Sequence, residues 1–357
     1  MEYNNLNAIT YFPDSLVKGI ALPVRFTFPF NYEPHPLTKI ATAELQDYLE
    51  TQADIDHNFG LVTGGEGAIA GKMFGVLVVM DREGKLGYLS AFSGKLAGSN
   101  HHPKFVPPVF DMLTEDSFFL KGIKIINTIN QQIKQIEEGA DYKSLKADFE
   151  RSSALFVQET AALKEQLKIN KAARKKQRAA QNKILQEGAC DDLEASLIRQ
   201  SLYDKHVLNV LVNKWEQVLS AIQRDMEQTQ AGMEALKNER RELSGALQKQ
   251  LFEQYEFLNK YGVRKSLQSI FKDTALGKPP SAAGECATPK LLQYAFLNGY
   301  QPVAMAEFWW GAAPRSEIRK HKQFYPACEE RCRPILKHML EGITLEEDPA
   351  VKKGSQS

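Results

Sequence analysis

The sequence predicts an α+β protein: a small three-stranded α/β domain split by a long, inserted, antiparallel helical coiled-coil hairpin. Three observations lead there. The chain of 357 residues holds 16 prolines, yet none falls in 116–260. From Leu208 onward, apolar residues recur every three or four positions, the period of a helix seam. Outside that stretch, short apolar runs of strand length alternate with turn residues and shorter helical patterns.

Four segments follow: 1–115 as the first half of the α+β domain, 116–260 as the insertion, 261–341 as the second half, and 342–357 as a polar, disordered tail. In the first half, Pro29, Pro34 and Pro36 punctuate an irregular start. Thr38 can cap a helix through Leu45, Tyr48 and Leu49. Residues 71–81 form a short, β-branched apolar run and read as a buried strand. Gly84 supplies the turn, and 87–94 is the hairpin partner. A loop braced by Pro103, Pro107 and Pro108 follows.

The insertion reads as two long helices. Ile126, Ile129, Ile133, Ile136, Leu145, Phe149, Phe156, Leu163 and Leu167 mark the first. Leu211, Trp215, Val218, Ile222, Met226, Thr229, Met233, Leu236, Arg240, Leu243 and Leu247 mark the second, with a stutter near Met226. Residues 188–192 break the pattern, and Asp191 or Asp192 can cap the next helix. So short a break favours an antiparallel hairpin, an intermolecular parallel coil being the alternative. In the second half, a helix follows Cys286 and stops at Gly299, residues 301–308 form a strand, and a last helix runs from Glu329 to Leu340.

Charge excludes one class of partner. Lys and Arg total 45 against 44 Asp and Glu, so the chain is not basic throughout. A local patch does exist: Lys171, Arg174, Lys175, Lys176, Arg178 and Lys183 lie within 13 residues that contain no acid. Such a patch at a hairpin tip can neutralise several phosphates; the alternative is a solvated helix end. Lys95, His101, His102 and Lys104, with Asn100, could add contacts from the proline-braced loop, unless that loop only packs under the sheet. Phe308, Trp309 and Trp310 could stack bases, although alternating strand residues usually belong to a core. No run of 18 apolar residues and no secretory leader pattern occur, and there are only four cysteines. The expectation is a cytoplasmic protein with no membrane partner and no DNA partner.

The sharpest constellation is Cys286, His321, Cys328 and Cys332. Cys328 and Cys332 are spaced C-x3-C at one helix start, and Cys286 stands at another. Helix N-termini favour thiolate, the form a metal needs. Three thiolates and one imidazole would make a tetrahedral structural zinc site, with iron the other metal to weigh. The alternative is a set of free cysteines and a surface histidine. Cys190 reads as a small residue in the coil break, and His338 as a reserve ligand.

With the insertion removed, the order is helix, strand, strand, Cys-bearing helix, strand, C-x3-C helix. That order resembles the core of zinc-dependent nucleoside and nucleic-acid deaminases. The resemblance implies a general acid/base Glu two residues beyond Cys286, where this chain has Thr288, with Glu285 and Glu307 out of register. The site is therefore expected to be structural, clamping a domain with little core of its own.

The stretch GECATPKLLQYAFLNGYQPVAMAEFWWGAAPRSEIRKHKQFYPACEERCRPILKHML, with AFSGKLAGSNHHPKFVPPVFDML and LQKQLFEQYEFLN, resembles the amino-terminal extension of long bacterial RluA-type RNA pseudouridine synthases. That likeness spans about residues 25–341. The family's catalytic Asp belongs to a downstream domain with an H-R-L-D-x-x-T-S-G-like motif, which this sequence lacks. The resemblance implies a non-catalytic RNA-binding or substrate-positioning module acting on tRNA or rRNA, with a synthase catalytic domain as a candidate partner in trans. Two alternatives stand beside it: a coiled-coil protein-interaction module and a zinc-dependent deaminase-like hydrolase.

Overall fold

The computed structural model describes residues 8–61, 71–184, 191–314 and 318–349. The chain forms two compact units: one of residues 1–122 with 245–357, the other of 123–244. In chain order the elements are β1 (Thr10–Tyr11), α1 (Asp14–Val17), α2 (Pro36–Thr51), β2 (Lys72–Met80), β3 (Leu86–Phe92), α3 (Phe118–Glu138), α4 (Ala140–Ile184) and α5 (Asp191–Glu253). Then come β4 (Glu256–Leu258), β5 (Arg264–Ser266), α6 (Leu267–Lys272), α7 (Ala287–Asn298), β6 (Gln301–Trp310), β7 (Phe324–Tyr325) and α8 (Glu329–Met339).

The first unit is built on an antiparallel sheet of order β1-β3-β2-β6-β7, with β4 and β5 forming a separate two-stranded ribbon. Three of the five sheet strands are those expected from sequence; β1 and β7 extend the sheet at its edges. Each is only two residues long, too short to show the alternation that marks a strand. Alternation along β2 divides the core. Phe74, Val76 and Val78 face α2, together with Phe308 and Trp310. Leu77 and Val79 face the other way, toward α7 and α8, together with Leu89, Ala91 and Met305. Full burial of each large apolar side chain stabilises the unit by about 1.5–3 kcal/mol relative to exposure.

Local chemistry fixes the ends of these elements. The N-cap of α2 is His35, not Thr38: the ring Nδ1 accepts from Leu37 N at 3.3 Å, and Pro36 opens the helix. Thr38 lies buried in the first turn, its hydroxyl donating to His35 O at 2.8 Å. Gly299 ends α7 with φ of 70°, a left-handed cap. Gly75 on β2 lies under α7, where an added Cβ would come within 3.0 Å of Ala287 Cβ and 3.1 Å of Leu291 Cδ1. Trp310 is 2% exposed and Trp309 8%, so neither offers a free face for stacking a base.

The second unit is an antiparallel helical hairpin. Its cross-helix contacts run in opposite directions along the chain: Arg240 with Asn130, Lys237 with Glu137, Trp215 with Glu159, Arg174 with Asp204. At 63 residues, α5 is about 95 Å long. The seam follows the expected positions with one shift. Val218 is 37% exposed and Leu219 turns inward instead, which places the stutter between Leu211 and Leu219. The first helix is interrupted at Gly139, between α3 and α4. The coiled pattern ends sooner than residue 260: α5 stops at Glu253, and Tyr255 and Phe257 join the core of the first unit. Cys190 and the break at 188–190 lie outside the described residues.

Candidate functional site

Cys286 is the N-cap of α7 and Cys328 the N-cap of α8. Cys332 follows one turn into α8, its N–H bonded to Cys328 O at 3.2 Å. All three are free cysteines; Cys332 is buried, Cys286 half-buried and Cys328 exposed. The buried Cys332 thiol lies within hydrogen-bonding reach of both other sulfurs, which pushes its own pKa well up, with burial adding to the effect. Cys328 moves the opposite way, down to about 5. The Cys332 thiol is the main cause, and the amides and charge at Arg331 help against burial. The Cys328 sulfur feels the helix terminus electrostatically, without a capping hydrogen bond of normal geometry.

Glu307 stands beside this cluster, although sequence spacing places it out of register. It lies on β6 opposite Gly75 of β2 and Tyr325 of β7. Its carboxylate turns toward the mouth of α7, where Oε1 accepts from Thr288 N at 3.0 Å and from Thr288 Oγ1 at 2.6 Å. Thr288 is the residue two places after Cys286, so a strand delivers a carboxylate to the turn where the helix itself has none. Glu307 is 3% exposed. Burial pushes its carboxyl up to about 7, against the two Thr288 hydrogen bonds. The available signal was a single acid within the apolar run 301–310.

His321 does not join the thiols. Its Nδ1 accepts from Gly311 N at 2.9 Å, and its ring lies 4.4 Å from that of Trp310. The chain leaves the C-terminal end of β6 and brings His321 back against that same end of the strand. His338 is not a reserve ligand either. It is buried with Nε2 on Phe257 O at 3.0 Å and Val263 O at 3.2 Å, tying α8 to the β4–β5 ribbon. Among the described residues, no group of three or more His, Cys, Asp or Glu is arranged to hold a metal ion.

Loop 94–108 is committed mainly to structure. His101 contacts Asp111 at 2.7 Å and His102 contacts Leu96 O at 2.7 Å. Lys104 lies over the Tyr48 ring at 4.6 Å. The Lys95 charge, together with that of Lys290, lowers Lys72 after burial has done so. Part of this loop lines a cleft of about 650 Å³ whose other walls include Lys290, Gln293 and Asn298. Those three polar groups are already engaged: Lys290 donates to Phe92 O and Gly94 O, Gln293 holds the β4 backbone, and Asn298 donates to Tyr294 O.

In the hairpin, the basic segment divides into two kinds of cation. Arg174 is buried in the seam and paired with Asp204 at 2.6 Å. Arg178 is paired with Glu194 at 2.6 Å. The acids come from the facing helix, which is why the local sequence shows no compensation. Lys171, Lys175 and Lys176 are exposed and make no ion pair among the described residues. The side chain of Lys183 lies outside the described ones.

Compared with protein-family models, with curated proteins and with solved structures, the chain matches none. Among the described residues, no helix is long and apolar enough to cross a membrane.

Proposed function

We propose that this chain is a non-catalytic RNA-binding, substrate-positioning module, of the kind implied by its resemblance to the amino-terminal extension of RluA-type pseudouridine synthases. The observation that carries the reading is the exposed lysine cluster on the last third of α4. Lys171 and Lys175 lie one turn apart on the same face, and Lys176 is adjacent. Removing Arg174 and Arg178 from the contact set narrows the interface to point charges suited to backbone phosphates rather than bases. The substrate class is tRNA or rRNA, with the catalytic step on a synthase domain supplied in trans. In the first unit, the order helix, strand, strand, helix, strand, helix supports a deaminase-like core.

The test is binding of a transcribed, unmodified tRNA over a salt series. Replacing Lys171, Lys175 and Lys176 by Gln is expected to weaken binding. It should also flatten the log–log salt slope by about 2 to 3. A slope that the triple substitution leaves unchanged would remove the RNA reading.

A second reading, a protein-interaction hairpin, is favoured by apolar side chains left outside the seam. Val157 and Tyr203 are each 68% exposed, and Leu202 is 62% exposed. Binding through such a face would be nearly insensitive to salt.

A further inference from the structure

We propose that one face of the hairpin is a seat for double-helical RNA, built from Lys164, Lys168, Lys171 and Lys175 of α4 and Lys205 of α5, which hold the phosphates bordering the minor groove. The inference rests on the RNA reading above and narrows it: the occupant is a duplex, not a single strand.

Spacing and one cross-helix contact bring these five cations together. On α4 the four lysines are separated by four, three and four residues, so they form a single row about 16 Å long. All four are exposed, as is Lys205. Arg178 reaches across the seam to Glu194 at 2.6 Å. Arg178 comes seven residues after Lys171, about two turns, and so lies on the same side of α4. Lys205 comes eleven residues after Glu194, about three turns, and so lies on the same side of α5. The lysine row and Lys205 therefore share one flank of the hairpin.

That flank carries little negative charge. The contacts of Glu159 with Trp215 and of Arg174 with Asp204 align 160–173 with 205–214. Within those two stretches Glu165 is the only acid, and it is bonded to Lys168 at 2.9 Å. Eleven residues after Lys205, Glu216 returns negative charge to the same side of α5 and ends the face.

The side chains select the occupant. Proteins that hold single strands stack the free bases on aromatic rings. No Phe, Tyr or Trp occurs in 157–183 or in 204–214. Tyr203, 68% exposed, is two residues from Lys205 and so points about 200° away around α5. Lysines are point charges that fit phosphates and read no base edge. An A-form duplex presents its phosphates in fixed rows beside a wide, shallow minor groove, while its narrow major groove excludes a helix pair about 20 Å across. A straight row of cations matches such a row of phosphates as it stands. A single strand would have to be ordered to follow it, with no stacking in return.

The experiment uses the full chain and two probes, an RNA duplex of about 20 base pairs and oligouridine of the same length. At one salt concentration the duplex should bind about tenfold tighter or more, and a duplex of shuffled sequence should bind within about twofold of the first. Lys164→Gln, Lys168→Gln and Lys205→Gln together should flatten the log–log salt slope for the duplex by about 2 to 3. Lys214, nine residues after Lys205 and so on the opposite side of α5, is the control: Lys214→Gln should leave the slope unchanged. All four side chains are exposed, so the variants should keep the helical circular-dichroism signal. Oligouridine binding as tightly as the duplex overturns the duplex seat and leaves the RNA reading standing. A slope that the triple substitution does not change, or that Lys214→Gln flattens as much, overturns the face. A chain that binds neither probe removes both.

Discussion

The two units of this chain solve the problem of holding helices in place in opposite ways. In the first, a sheet presents apolar residues on both faces, and two buried clusters cover it almost continuously. In the second, Ile129, Ile133, Leu197, Trp215 and Met233 are the buried apolar residues among the described ones, spread along a seam more than a hundred residues apart in sequence. Between them the hairpin relies on paired polar groups: Arg174 with Asp204, Trp215 with Glu159, Lys237 with Glu137. Two helices alone cannot enclose a core, so each element has only one covered face. Register in the hairpin is therefore set by a few polar matches, whereas in the sheet it is set by packing.

Core truncation in the sheet should give the largest effect. Phe308 is fully buried and stacks on Phe74 at 5.9 Å between centroids. Phe308→Ala should cost about 3–5 kcal/mol in denaturant unfolding of the whole chain. A loss under 1 kcal/mol would mean that the sheet is not the rigid partner in the comparison. Trp215→Ala removes the largest buried side chain of the seam and its hydrogen bond to Glu159. The expected cost is about 3 kcal/mol at most, because a seam open to water can relax around the gap. It should appear as faster amide exchange in 123–244 while β2 and β6 keep their protection.

At the next level down, the His35 cap makes the first unit sensitive to acid. Burial lowers His35 from its ordinary 6.5, and only the neutral Nδ1 can accept the Leu37 N–H. A depressed folded-state value means that the cap's contribution is present above pH 6.5 and is lost as pH falls through that lower value. His35→Ala should cost about 1 kcal/mol at pH 7.5 and much less at pH 5. His35→Asn should keep the cap across that range, and melting curves at the two pH values would show it. The smallest effect is expected at Val157, 68% exposed on α4, where Val157→Ala should stay within about 0.5 kcal/mol. A larger loss in dilute solution would show that the outer face of the hairpin is already covered.

How far these features could be read from sequence depends on the distance between the partners that make them. The runs that became β2, β3 and β6 announce themselves through local composition, and the helix seam through its period. Cysteine placement at two helix starts was legible for the same reason. Glu307 was not, because its partner Thr288 is 19 residues away and the two meet only when β6 lies beside α7. Arg174 looked like a free cation because Asp204 is 30 residues downstream, on the facing helix. His321 looked like a ligand by residue type alone, and the return of its loop to the C-terminal end of β6 carries no sequence mark. The β4–β5 ribbon was lost inside a helical pattern that continued to Glu253 without a proline to end it.

The pairing of β2 with β6 has a consequence for how the protein is made. The central strand of the sheet needs a neighbour that begins 221 residues after it ends, at Gln301. At about 5–20 residues per second, β2 emerges about 10 to 45 s before that neighbour exists. During that interval its apolar edge is open to other nascent chains. The hairpin then shortens the search. Its two feet already touch, since a Cβ at Gly122 would fall 2.7 Å from Leu247 Cδ1. Once the hairpin has zipped, the polymer loop left to close is about a hundred residues rather than more than two hundred, and the entropy cost of closure falls by about 0.6 kcal/mol. Chains arrested after residue 260 should resist protease within the hairpin while 72–92 is cut, a pattern that limited proteolysis of stalled chains would read directly.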